Sequence, residues 1–169
     1  MTATTAVMDG TPGAARIARG GVLTRVLGTS ADFAPTVARV VLGAVMLPHG
    51  AQKLLGWFGG YGWSGTMGFL TGQAGLPWLV AALVILIESV GSVLLLVGLG
   101  GRIMAAGVAA IMVGAVATVH FANGFFMNWA GTQKGEGFEY HLLAIALAVV
   151  VMLRGSGALS LDRALTTRD

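Results

Sequence analysis

The chain contains no cysteine. That excludes disulfides, thiolate-bound iron–sulfur clusters and any thiol relay of electrons within it. Charge is scarce too. Ten basic and seven acidic side chains make up 10% of the 169 residues, against about 25% in an ordinary soluble domain. So little charge cannot cover a water-soluble globule, and 56% of the residues are hydrophobic. A mean hydropathy of +0.82 points the same way, to an integral membrane protein in a lipid bilayer. The net charge of +3 then says little about nucleic acid, and no nucleic-acid partner is expected. Ten-residue alternating segments are also lacking, which argues against a membrane β-barrel. No glycine fingerprint for a dinucleotide follows a strand.

What is present is helical. Four apolar segments, at about 35–57, 76–98, 101–122 and 138–154, each approach the ~20 residues that cross about 30 Å of hydrocarbon. The small residues Gly43, Gly91, Ser92, Gly107 and Gly114 fall inside them. Small residues let helix backbones approach in lipid, where hydrophobicity does not drive association. The expected fold is all-α, a four-transmembrane-helix bundle over 34–155. It is flanked by a basic, disordered or surface-lying tail, 1–33, and a C-terminal tail, 156–169. The first thirty residues lack the apolar core of a cleavable signal peptide.

Arginines set the expected orientation. Arg16, Arg19, Arg25, Arg102, Arg154, Arg163 and Arg168 lie in the two tails and the short turn between the second and third segments. The loop 58–75 has no basic residue, and 123–137 has only Lys134. Both termini are therefore expected in the cytoplasm. Trp57, Trp63, Phe125 and Trp129, with neighbouring aromatics, would form a belt at the outer interface.

The chemistry-bearing signals are polar groups inside the spans: Arg39, His49, Gln52, Lys53, Glu88 and His120. Ionisable groups in hydrocarbon cost several kcal/mol unless paired or hydrated, so they usually face the bundle interior. Arg39 is expected about 6 Å into the first helix, at a depth within about 6 Å of Glu88, which predicts an Arg39–Glu88 pair. Such a pair would serve either helix register or function. His49, Gln52 and Lys53 share one face of the first helix. Pro48 removes a backbone hydrogen bond beside them. The face suits a polar pocket under the outer interface; snorkelling to headgroups is the alternative for Lys53, and a helix–helix hydrogen bond the alternative for His49. Glu139 and His141, two residues apart, do not share a helix face, and no metal-ligand spacing occurs, so no metal site is expected. A haem between His49 and His120 is not expected either, because their depths differ.

The stretches ARVVLGAVMLPHGAQKLLGWFGGYG, ILIESVGSVLLLVGLGGR, HFANGFF and GSGALSLDRAL together resemble the DoxX family of bacterial membrane proteins, over about 35–165. The resemblance implies a multi-pass protein of the bacterial inner (plasma) membrane. Some relatives are described as parts of membrane oxidoreductases, including thiosulfate:quinone oxidoreductase, or as partners of detoxifying enzymes under oxidative stress. Arg39, His49, Lys53, Glu88 and His120 match the family pattern. Two classes of function follow. One is a non-catalytic or quinone-interacting subunit of a membrane oxidoreductase or oxidative-stress complex, with a partner redox protein or small reductant as electron source. There His49 and Lys53 would donate to the quinone, Glu88 would carry a proton, and Trp57 would pack on the ring. The other is a scaffold, assembly factor, or small-solute or lipid transporter without redox activity. Whether the chain is an enzyme, and whether it self-associates, is left open by the sequence.

Overall fold

A computed structural model describes residues 26–166. The N-terminal arginines at 16, 19 and 25, Arg168, and most of the 1–33 tail lie outside the described residues. Within them every regular element is helical.

Helix α1 spans Ala34–Leu55, with Pro35 in its first turn, where the missing N–H costs nothing. It runs through Pro48 without a break and stops at Gly56. A short helix α2, Gly62–Gly68, continues as a π turn over Phe69–Gln73. Helix α3, Trp78–Val97, contains a π turn at Ile87–Gly91. Helix α4, Gly101–Asn123, ends through a π turn at Val116–His120 and a single 3₁₀ turn. Helix α5, Glu139–Arg154, is followed by the short α6, Leu161–Thr166. Gly98 and Gly100, with φ of 71° and 63°, make the tight reversal between α3 and α4. That left-handed backbone is open to glycine at little cost.

Side-chain contacts give the directions. Early in α1, Arg39 meets Leu95 and Leu96 late in α3; late in α1, Lys53 meets Glu88. Thus α1 and α3 are antiparallel. Arg39 also meets Ser156, just past α5, while Met46 meets Tyr140 near the start of α5. So α1 and α5 are antiparallel as well. The His120–His141 contact at one end and the Gly101–Ser156 approach at the other set α4 against α5 in the same sense. The four long helices form an up-and-down bundle. Its core joins Leu42 and Met46 of α1, Leu95 of α3, Val108 and Met112 of α4, and Ala144, Ala148 and Val151 of α5. Met67 and Trp63 of the α2 region pack on Ala81, Ala82 and Ile85 of α3.

The small residues sit where backbones close. A Cβ on Gly43 would meet the Ser92 carbonyl at 2.9 Å, and one on Gly50 would overlap the Glu88 carbonyl. Gly91 faces Met104, and Gly107 faces Ile87. Gly114 is different: a Cβ there meets nothing within 4 Å.

Apolar side chains cover the outside as well as the core. Val37, Val41, Val93, Ile103, Leu143 and Val150 all face outward. A water-soluble monomer does not carry so much contiguous apolar surface. Of the described helices, α3 and α4 are long and apolar enough to cross a membrane.

The expected Arg39–Glu88 pair does not form. Arg39, only 2% exposed, donates to the carbonyls of Ser156 (2.7 Å), Leu95 (2.8 Å), Leu96 (2.6 Å) and Leu159. The last turn of α3 leaves carbonyls without intrahelical donors, and a five-donor guanidinium suits them. Leu95 lies seven residues beyond Glu88, about 10 Å along the helix, which carries Glu88 out of reach. Arg102 does a similar task for α5, donating to Leu153 (3.1 Å), Met152 and Gly28 (3.2 and 3.1 Å).

The segment read as a C-terminal tail is docked as far as Thr166. Asp162, 1% exposed, accepts from the Gly100 and Gly101 amides (2.8 and 3.1 Å) and the Ser156 hydroxyl (2.6 Å). It caps the N-terminus of α4 from across the fold, where a carboxylate meets orphan N–H groups and the positive end of the helix dipole.

Candidate functional site

Away from the Asp162 end the bundle holds a partly open cavity of about 560 Å³. Ligand sites typically occupy about 300–1,000 Å³ and combine apolar walls with a few placed polar groups. All four long helices and both long loops contribute to its walls. Most of the lining is apolar, with Phe69, Leu76, Val84, Ile87, Ile111 and Val119 as the larger surfaces.

The polar groups come from all four long helices. Lys53 of α1 forms an ion pair with Glu88 of α3, and the ammonium donates to the carboxylate. Glu88 is 3% exposed, whereas the Lys53 side chain keeps 29% of its surface. The pair is therefore buried on the acid side and open on the lysine side. The close approach at Gly50 holds α1 near enough for Lys53 to reach Glu88. The π turn in α3 carries Glu88, and its carbonyl takes the Ser92 hydroxyl at 2.5 Å. Single π turns within α-helices recur at functional sites because they re-aim side chains.

His49 lies one turn before Lys53 and borders the same cavity. Its ring is 5.9 Å from that of Tyr140, which is 5.5 Å from His141. The Tyr140 hydroxyl donates to the Met46 sulfur at 3.3 Å. His141 and His120 are in ring contact at 4.1 Å between centroids. His120 comes from the π turn of α4, and its Nδ1 donates to the Glu136 carbonyl at 2.8 Å. A carbonyl only accepts, so Nδ1 is the donor in this bond. His141 is 5% exposed, and its Nδ1 has no hydrogen-bond partner among the described residues.

The sequence candidates thus separate into two sets. His49, Lys53, Glu88 and His120 border one cavity. Arg39 lies near the other end of α1. Gln52 turns to the Phe58 carbonyl at 3.3 Å. Trp57, 59% exposed, does not line the cavity, so it is not placed to pack on a bound ring there. Trp63 of α2 packs toward Ala81, Ala82 and Ile85 of α3, while Phe125 and Trp129 lie on the surface. Lys53 does not simply snorkel away; it meets Glu88.

Tyr140 and His141 were missing from the sequence set. The signal was available for His141. It stands in line with the buried Ala144, Ala148 and Val151, at spacings of three, four and three, which marks the inward stripe of α5. Glu139 faces elsewhere, toward the Met127 amide at 3.3 Å. Among the described residues no group of three or more metal-ligating side chains converges.

A helical bundle that is apolar outside and gathers an ion pair and three imidazoles around an internal cavity is a membrane protein with a built site. The family follows from comparison. The family model DoxX matches residues 34–121, and the chain belongs to the DoxX family. It is also 30% identical over 133 residues to "Putative oxidoreductase CatD" of Bacillus subtilis (strain 168), covering 79% of this chain and 87% of that one. No solved structure matches the chain.

Proposed function

We propose that this DoxX protein crosses the bacterial inner membrane four times, with both termini in the cytoplasm, and binds a quinone as a subunit of a membrane oxidoreductase. The observation that carries this reading is the apolar cavity with the Lys53–Glu88 pair on its wall. Its walls suit a flat apolar ring, and donors stand at one side of it. The name of the Bacillus subtilis relative supports an oxidoreductase role. Arg102, Arg154 and Arg163 gather with Asp162 at one end of the bundle, which supports that end as cytoplasmic.

A bound quinone would supply two-electron, two-proton chemistry. The Lys53 ammonium would donate to a ring carbonyl oxygen from its open side, and His49 would donate from the same face of α1. Glu88, as the carboxylate partner of Lys53, would keep the ammonium oriented and would accept and pass on a proton as the ring is reduced. Val84, Ile87 and Ile111 would exclude water around the ring. The electrons come from a partner redox protein or a small reductant, since the chain has no thiol of its own.

The test is purification in mild detergent, solvent extraction and mass analysis. Near-stoichiometric quinone in the wild type, and at least a tenfold loss in Glu88→Gln with unchanged helicity, is the expected result. Protein free of quinone that takes up none when it is added back would contradict the reading and favour a scaffold or transport role.

A further inference from the structure

The cavity has walls of different kinds. The loop segment around Phe69 and the loop bearing Met127 and Glu136 contribute its wall at one end. Toward the other end α3 and α4 converge, where Ile87 seats against Gly107 and Met104 against Gly91. Helices α1 and α5 form the back, through His49, Tyr140 and His141. One side differs. The first half of α3, Trp78–Leu86, packs at most loosely against α4, whereas Ile87–Gly91 and Ser92–Val97 pack on it. The two helices therefore splay apart along the cavity.

The residues at this gap line the cavity and yet are open to the outside. Leu83 is 46% exposed and Val80 is 42% exposed, and both border the cavity. Across from them Gly107, Ala110, Gly114 and Thr118 follow one face of α4 and border it too. Gly107 is filled by Ile87, but the space over Gly114 is empty to 4 Å. Ala110, Gly114 and Thr118 are exposed. The other small residues of the bundle bring backbones together; this stretch leaves a groove. In a membrane-spanning bundle a gap between two helices at mid-height opens to acyl chains, not to water. A second, independent sign that the cavity awaits a ligand is His141, buried on its wall with a ring nitrogen that the described residues leave unpartnered.

We propose that the cavity is entered sideways from the bilayer, between α3 and α4, by a quinone with a long apolar tail. The tail lies in the groove over Ala110 and Gly114, and the ring reaches the Lys53–Glu88 pair. This inference rests on the quinone reading and adds the tail, the route and the residues that form it. Small side chains are needed on α4 because a tail must pass where a larger residue would fill the gap.

The experiment compares two probes on the full chain: a quinone with a long isoprenoid tail, and the same headgroup without the tail. Gly114→Phe and Ala110→Leu fill the groove from an open position; Val113→Phe, which points outward, is the control. The expected result is at least tenfold weaker binding of the tailed quinone in both groove variants, with the tail-less probe within twofold and the control unchanged. Equal loss of both probes in a folded variant would overturn the assignment of the groove to the tail. So would no loss of either.

Failure of the quinone reading is recognised separately. The chain has no cysteine, so Gly114→Cys takes a single fluorescent label. Its quenching by phospholipids brominated along the acyl chain reports whether the groove faces lipid. A wild type that binds neither probe ends the quinone assignment, and strong quenching then leaves the lipid-facing opening standing. Absence of quenching overturns the sideways route, whatever binds.

Discussion

Arg39 and Glu88 are both buried charges in the same bundle, yet their surroundings differ in kind. Arg39 is surrounded by backbone carbonyls on three parts of the chain: the end of α3, Ser156 and Leu159. Nearby, Asp162 is saturated by two amides and a hydroxyl. At that end of the molecule both charges are met by protein groups. Glu88 has one ionic partner, Lys53, which is itself part-open to a cavity. Around it stand imidazoles whose hydrogen-bonding capacity the described residues only partly use. A buried charge that is fully met by backbone holds a fold together. One that is met on a single side, at the edge of a cavity, is available for chemistry.

The comparison can be broken at either end. The largest expected effect is on folding, from Arg39→Met. It removes the side-chain donor from the Ser156, Leu96 and Leu159 carbonyls, at about 1–3 kcal/mol for each group left unsatisfied and away from water. The variant should lose more than about 3 kcal/mol on that scale, or fail to accumulate, as read by thermal unfolding in detergent. Next comes Asp162→Ala, which removes a helix cap and leaves the Gly100 and Gly101 amides unmet. A loss of about 1–2 kcal/mol is expected, with quinone binding unchanged, because the cap lies away from the cavity. Gly50→Ala sharpens the comparison from the other side. The added methyl would overlap the Glu88 carbonyl, so α1 and α3 must part, costing about 1–3 kcal/mol. Quinone affinity should fall with it, since Lys53 moves away from Glu88. The smallest effect belongs to Trp57→Ala. Trp57 is exposed and off the cavity, so stability should change by less than about 0.5 kcal/mol and quinone affinity by less than twofold.

Much of the architecture was legible in the apolar runs. Expected segments at 35–57, 76–98, 101–122 and 138–154 correspond to helices at Ala34–Leu55, Trp78–Val97, Gly101–Asn123 and Glu139–Arg154. Gly43, Gly50, Gly91 and Gly107 do bring helices together, as small residues in such runs suggest. What charge counting could not show was the backbone as a partner. Arg39 had an obvious acidic candidate in the sequence, but the ends of α3 and α5 offer unpaired carbonyls that no residue letter displays. Similar depth along the helices does not ensure contact: the α1–α3 crossing sets Gly50, not Arg39, against Glu88. The π turns at Ile87–Gly91 and Val116–His120 also have no plain signature in residue type. They carry Glu88 and His120, two of the four cavity-bordering residues that the sequence had singled out. The docked C-terminal segment was hidden because its anchor, Asp162, looks like any surface acid until the Gly100–Gly101 amides are brought to it.

The most direct test of the difference between the two buried charges is a quinone titration of wild type, Glu88→Gln and Asp162→Ala in mild detergent, with helicity and thermal midpoint followed in the same samples. The account predicts that Glu88→Gln keeps its helicity and loses at least tenfold in affinity, while Asp162→Ala loses stability and keeps affinity within twofold. Affinity that survives in Glu88→Gln, or that falls equally in both variants while both remain folded, would contradict the assignment of Glu88 to the ligand and Asp162 to the fold.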